Sequence, residues 1–312
     1  MSAPRRVRVR ALAKINLELR VLGKRPDNYH ELRTIFQTIS LADSLEIGFT
    51  PARRTVIEIQ DRLAIEDNLV LKAACLILDM MRTTGKVLIR LRKRIPMGAG
   101  LGGGSSDAAA VLLAMPVLAG RVVELPDLYR TAAALGSDVS FFLQGGRAAA
   151  IGRGGELFPL PDVSPQHGVL LTPEVHVSTV QAYQRLSPRL TTESQENKIF
   201  SFQSRLWDGG VSEGVCNDFE AVAFDEHPAL RGLKRRLVRA GASPALMSGS
   251  GSAIFGLFAT GEEAQRALTG FEGERAFRIS LVSRTRYRAM WWRALKEHID
   301  QKLWPPRSRY AR

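Results

Sequence analysis

Cysteine is almost absent from this chain: Cys75 and Cys216 are the two in 312 residues. One pair builds no disulfide framework and supplies no zinc-ligand spacing, so a reducing cytoplasm is the expected compartment. Cys75 lies within NLVLKAACLILDMM and is expected on the buried face of a helix. No run of eighteen apolar residues occurs, which excludes a helical membrane span. No apolar segment follows the charged start MSAPRRVRVR, so no signal peptide is expected. Internal repeats are missing. Negative charge is scarce, 31 acidic residues against 44 basic ones, a formal net charge of +13. That excess sits at the ends: residues 1–10 hold four arginines and no acid, and residues 283–312 hold nine basic and two acidic side chains. The body between them is close to neutral. A binder of phosphate backbones would spread its basic stripe over the folded surface, so nucleic acid is not the expected partner.

The length accommodates two ordinary domains, and 45% hydrophobic with 24% charged residues are the proportions of a globular protein. In VRVRALAKINLELRVL, Val7, Val9, Ala11, Ala13, Ile15, Leu17, Leu19 and Val21 alternate with mostly polar residues, including Lys14 and Asn16. This period of two predicts a long half-buried strand. GKRPDNYHEL breaks it with turn residues. RTIFQTISLADSLEIGF, TVIEIQ and KVLIRLRKRIPM predict further strands, while EDNLVLKAACLILDMMRTTG and LPDLYRTAAALG predict helices. Ser105 and Ser106 before DAAAVLLA read as a helix N-terminus, and Pro116 is expected to kink or end that helix. GGRAAAIGRGGELFPL reads as paired strands. Composition shifts near residue 160 through FPLPDVSPQHG. Beyond it come the strand GVLLTPEVHVST, helices near 179–186 and 228–240, a glycine turn in MSGSGSA and the strand AIFGLF. The pattern predicts an α+β fold with domains at 1–160 and 161–283 and a basic, tryptophan-rich extension at 284–312. In the extension, Trp292, Leu295, Ile299 and Leu303 recur at helical steps. This amphipathic helix is expected to dock on the body, with an anionic membrane surface or a nucleic acid as the alternatives.

Glycine is concentrated in PMGAGLGGGSS, residues 96–106, with five glycines between 98 and 104. Each costs backbone entropy, so bare backbone is needed there. Gly98, Gly100 and Gly103 satisfy the G-x-G-x-x-G of dinucleotide folds. The preceding strand, however, is polar on one face through Arg90 and Arg92, unlike a strand buried on both sides. Asp107 also stands where a pyrophosphate would lie. No Lys-Ser or Lys-Thr pair follows, so the loop is not a Walker A motif. What remains is a set of backbone N–H groups facing an anion, backed by the positive end of a helix. Ser105 and Ser106 would add hydroxyl donors or a ligand for a phosphate-bound metal. A glycine-rich turn without chemistry is the plainer alternative.

The stretch from Pro96 to Ser106 resembles the phosphate loop of the GHMP kinases, the superfamily of galactokinase and the homoserine, mevalonate and phosphomevalonate kinases. AKINLEL at 13–19, RPDNYHEL at 25–32, LGSDVSFFL at 135–143 and LMSGSGSAIFG at 246–256 stand in the order of one branch of it. That branch acts on a cytidine diphosphate-linked methylerythritol in the non-mevalonate route to isoprenoids. The resemblance implies a ribosomal-protein-like N-terminal domain and a ferredoxin-like C-terminal one. It implies ATP held by Pro96, Met97, Gly98, Ala99, Gly100, Leu101, Gly102, Gly103, Gly104, Ser105 and Ser106, with Asn68 and Lys93 on the adenine side. Lys14 and Asp138 become the catalytic pair, and Asn16, Tyr29, His30, Thr179, Tyr183, Gly249 and Gly251 face the substrate. A lysine fixed on a strand offsets charge on a transferring phosphoryl group. Asp138 reads equally as a helix N-cap and as a general base for a hydroxyl. Tyr29 and His30 offer cytosine a flat partner and hydrogen bonds. Asn28 stands where the branch usually has glycine and is expected to keep a left-handed turn. Magnesium is implied by phosphoryl transfer, although no metal motif appears. The rival readings are a GHMP kinase for another alcohol and a basic RNA-binding protein.

Overall fold

The computed structural model describes residues 4–27, 29–63, 67–163, 166–189, 192–207 and 214–311. The alternating segment forms β1 (Arg5–Lys24), antiparallel along its length to β2 (His30–Pro51). Register shifts between Leu12 and Lys14, Asn16 and Glu18, and Val21 and Gly23 bend the pair. The apolar residues of β1 therefore enter three cores in turn. Val7, Val9 and Ala11 join one, Ala13, Ile15 and Leu17 another, Leu19 and Val21 the last.

The other edge of β2 is shared. Ser44–Pro51 pairs with β4 (Gly85–Arg92), and Leu32–Gln37 pairs with β5 (Arg147–Gly152). β3 (Val56–Asp61) lies parallel to β4, and β6 (Glu156–Pro159) lies beyond β5. Packed with this sheet are α1 (Leu69–Met80), α2 (Gly103–Ala119), α3 (Leu125–Leu135) and α4 (Val139–Gln144). The second sheet runs β10-β7-β9-β8, all antiparallel: β7 (His167–Leu171), β8 (Ala245–Met247), β9 (Ile254–Phe258) and β10 (Ala276–Ser280). Among the described residues it is accompanied by α5 (Thr179–Leu186), α6 (Thr192–Trp207), α7 (Glu220–Glu226), α8 (Pro228–Arg239) and α9 (Gly261–Thr269). The α+β expectation is borne out. The proposed boundary at 160 falls in the connection between β6 and β7, but the halves share a core. Ile15, Leu17 and Ile35 pack with Leu246, Phe255 and Leu257.

Several local expectations are corrected. Pro116 does not end α2, which runs on to Ala119 and stops at Gly120 with φ 70°. Every residue from Ser106 to Leu118 is buried, so packing outweighs the one backbone bond that proline forgoes. The N-cap of α2 is Gly102, and Ser105 and Ser106 lie in the first turn. Cys75 is exposed, because the buried face of α1 is Val70, Ala73, Ala74, Ile77 and Leu78, about a third of a turn away. In the extension the helix is α10 (Arg284–Leu295), and its buried stripe is Tyr287, Trp291 and Leu295, packed into the first core. The expected stripe started one residue late, at Trp292, and Leu303 is exposed beyond the helix. Among the described residues no helix is long and apolar enough to cross a membrane.

Candidate active site

Gly98, Gly100 and Gly102 have φ of 68°, 76° and 67°, values that L side chains rarely adopt. Space forbids a side chain too. A Cβ at Gly100 would stand 2.1 Å from the Ser248 carbonyl oxygen, and one at Gly102 would stand 2.9 Å from the Phe142 ring. The loop is thus clamped between the second glycine segment and α4. Ala253 donates its N–H to the Ala99 carbonyl at 3.2 Å, and Lys14 donates its N–H to the Leu101 carbonyl at 3.0 Å. The loop runs directly into the N-terminus of α2, whose first N–H groups lack partners within the helix and favour an anion.

Lys14, expected on a polar strand face, is buried. Its ammonium donates to Asn16 Oδ1 at 2.8 Å and lies 3.4 Å from Asp138 Oδ2. Asn16 in turn donates its amide N–H to Thr34 Oγ1 at 2.7 Å, which fixes which way the amide faces. Asp138 precedes α4 in the N-cap position, yet its side chain makes no capping bond. Of the two readings of this residue, the capping bond is not made, and the carboxylate faces the Lys14 ammonium instead.

A cavity of about 1040 Å³ joins these groups to the segment around residue 30. Lys14, Asn16, Asp138, Gly98, Gly100 and Gly102 line it together with Tyr29, His30, Thr179, Tyr183 and Gly249. The His30 ring stacks on Tyr183 at 4.5 Å and 19°, with Nε2 2.6 Å from Ser187 Oγ. Burial, aided by the Lys24 ammonium, lowers the His30 pKa below the ordinary imidazole value. Burial also pushes the Tyr183 phenol up to about 12, assisted by Asp138. Tyr29 is exposed, with the Arg153 guanidinium 3.4 Å over its ring. Thr179 Oγ1 lies 2.8 Å from Ser250 Oγ. Asn28 lies outside the described residues.

Other predicted residues stand off the cavity wall. Asn68 caps α1, its Oδ1 accepting the Val70 N–H at 3.0 Å. Lys93 is held between Asp43 at 2.5 Å and Asp107 at 2.7 Å, a buried brace behind the loop. The Ser106 hydroxyl is also buried and donates to the Leu12 carbonyl at 2.7 Å. Ser105 and Pro96 are half-buried, while Met97, Gly103 and Gly104 flank the loop with Met97 exposed. Gly251, at φ 103°, stands against Met247 and helps turn the second glycine segment. Sequence reasoning missed Thr34, Ser248, Phe142 and Asn217. Asn217 donates to the Met247 and Gly249 carbonyls at 2.8 and 2.7 Å, holding that turn in place. A lone asparagine between helices carries no local signal of such a long-range role.

Two family models match the chain, the GHMP kinases N terminal domain over residues 68–146 and the GHMP kinases C terminal over residues 206–274. Fold and site together define a GHMP kinase. A 4-diphosphocytidyl-2-C-methyl-D-erythritol kinase of Solibacter usitatus is 63% identical and aligns over 99% of both chains. One from Prosthecochloris aestuarii is 42% identical over 84% of this chain and 92% of its own. The crystal structure of a 4-(cytidine 5'-diphospho)-2C-methyl-D-erythritol kinase matches with a TM-score of 0.75 at 38% identity, covering 88% of this chain and 98% of that one. A homoserine kinase from Cytophaga hutchinsonii, 19% identical with a TM-score of 0.70 over 91% and 96% of the two chains, shares the fold. This chain belongs to the 4-diphosphocytidyl-2-C-methyl-D-erythritol kinase family.

Proposed function

We propose that the chain is an ATP-dependent kinase that phosphorylates the 2-hydroxyl of 4-diphosphocytidyl-2-C-methyl-D-erythritol, a step of isoprenoid precursor synthesis. The observation that carries this reading is one cavity holding a glycine loop, the Lys14–Asp138 pair at 3.4 Å and the His30–Tyr183 stack. The substrate hydroxyl oxygen attacks the γ-phosphorus in line, and its proton passes to the Asp138 carboxylate. The bond from that phosphorus to the bridging oxygen breaks, and ADP leaves. The Lys14 ammonium, oriented by Asn16, offsets the negative charge that develops. A neutral His30, its Nε2 engaged by Ser187 Oγ, keeps Nδ1 for a hydrogen bond to a pyrimidine edge, and Tyr29 and Tyr183 offer flat faces.

Magnesium, when bound with the nucleotide, neutralises phosphate charge. Ser106 is buried off the cavity wall with its hydroxyl on the Leu12 carbonyl, so of the two loop serines the half-buried Ser105 is the one that would hold it. The free thiol of exposed Cys75 supports a reducing, cytoplasmic setting. Burial of Trp291 in the first core supports self-docking of the extension over a membrane surface.

The test follows ADP release with the cytidylyl substrate beside mevalonate, homoserine and galactose. Turnover confined to the cytidylyl substrate is expected. Turnover of another alcohol instead would keep the glycine loop as an ATP site and discard base recognition by His30 and Tyr183. No turnover of any would reopen the RNA-binding reading.

A further inference from the structure

We propose that the C-terminal extension is a positioning element for the catalytic carboxylate, acting through Tyr287 on α4. The inference rests on the kinase reading above. Asp138 immediately precedes α4, a helix of six residues, and makes no capping bond. Its placement therefore depends on where α4 is seated.

That seat has two sides, and Phe142 touches both. Its ring closes the space over Gly102, so α4 and the phosphate loop fix each other. Its backbone carbonyl accepts the Tyr287 hydroxyl at 2.5 Å. The exit of α4 is shaped to the extension as well. A Cβ at Gly145 would stand 2.4 Å from the Tyr287 ring, and one at Gly146 would stand 2.8 Å from the Arg284 backbone. Tyr287 is buried, and burial raises its phenol pKa well above the ordinary value, so it stays a donor. Trp291 lies one turn further on, also buried, and the distal end is pinned where Arg5 stacks on Tyr310 at 3.8 Å. The extension thus reaches the reacting groups through one hydrogen bond and one helix, without touching the cavity.

Tyr287→Phe keeps the ring and deletes the bond. The loss expected is roughly fivefold in kcat, the equivalent of one neutral hydrogen bond, with KM for both substrates changed less than about twofold. Tyr310→Ala loosens the distal end and serves as the control, lowering Tm while kcat holds. An unchanged kcat in Tyr287→Phe, or a kcat loss matched by Tyr310→Ala at equal loss of Tm, overturns the proposal. Should Tyr287→Phe fail to fold, Arg284→Lys takes its place. It slackens the root of the extension, where the guanidinium donates to the Arg147 and Leu160 carbonyls, and must give the same split between kcat and KM. Absence of turnover in the wild-type chain would instead sink the kinase reading on which the proposal stands.

Discussion

Asp138 and Asp107 are two carboxylates near one glycine loop whose surroundings give them different work. Asp138 is about 29% exposed on its side chain, faces the cavity and has Lys14 as its cationic neighbour. Asp138→Asn keeps the shape and removes the proton acceptor, so kcat should fall by about 10²–10⁴-fold. The expected change in Tm is small, and a variant retaining full ADP release would remove the general-base role. Asp107 is shut in behind the loop, where burial pushes its carboxyl up to about 7 against the pull of Lys93, with Asp43 adding to the rise. A carboxyl raised in the folded state stabilises the fold fully below its unfolded value and loses that contribution as pH climbs to about 7. The stability of wild type relative to Asp107→Asn should therefore fall between about pH 5 and about pH 8, read from urea unfolding at both. A difference independent of pH would show that Asp107 ionises as an ordinary carboxyl. Neither environment is visible in the residue string. Lys93 followed an alternating strand and read as a nucleotide contact because nothing local reveals that Asp43, fifty residues earlier, has claimed its ammonium.

Elements were legible where their period was strong and their purpose local. β1 follows a period of two, α1 a helical one, and the turn from glycine loop into α2 is written in five glycines followed by alanines. α6 and α7 were missed, since α6 is mostly polar and α7 spans seven residues. α9 has a start that the sequence does carry, the capping box of Thr260 with Glu263. Pairing between the two glycine segments could not be read at all. MSGSGSA reads either as a strand turn or as close backbone approach near the site, and its backbone lies against the phosphate loop, with Gly249 so close that a Cβ there would be 3.2 Å from Gly100 Cα. Gly100→Ala tests that contact as an element-scale feature. The added methyl meets the Ser248 carbonyl and a left-handed φ, so the loops must part. Stability should drop by roughly 1–3 kcal/mol, and KM for ATP should rise more than KM for the cytidylyl substrate. Equal increases in both would mean that the clash spreads through the whole cavity rather than through the phosphate loop.

At the scale of the molecule, the sequence suggested two domains joined near residue 160, whereas the packing joins them through one strand pair. β1 serves the first core at its start, the shared core at its middle and the second core at its end. Lys14 sits where β1 crosses from one half to the other, so Lys14 on β1, Asp138 before α4 and Ser248 after β8 are held by a common interior. A division read from composition cannot show this, because a shared core needs contacts between residues 15 and 255 that leave no trace in either segment alone. The consequence is thermodynamic: the halves should melt together. Phe255, fully buried on β9, is the place to probe it, since Phe255→Ala opens a cavity in the shared core at a cost of about 3–5 kcal/mol. Tryptophan emission reports mainly the first half, because Trp291, Trp292 and Trp304 lie in or against the extension docked there. Far-ultraviolet circular dichroism reports both halves. If the interior is common, the variant shifts the two transitions by the same amount and each stays single. If the tryptophan transition stays at the wild-type midpoint while the dichroism splits, the halves are independent, and Lys14 and Asp138 owe their meeting to the N-terminal half alone.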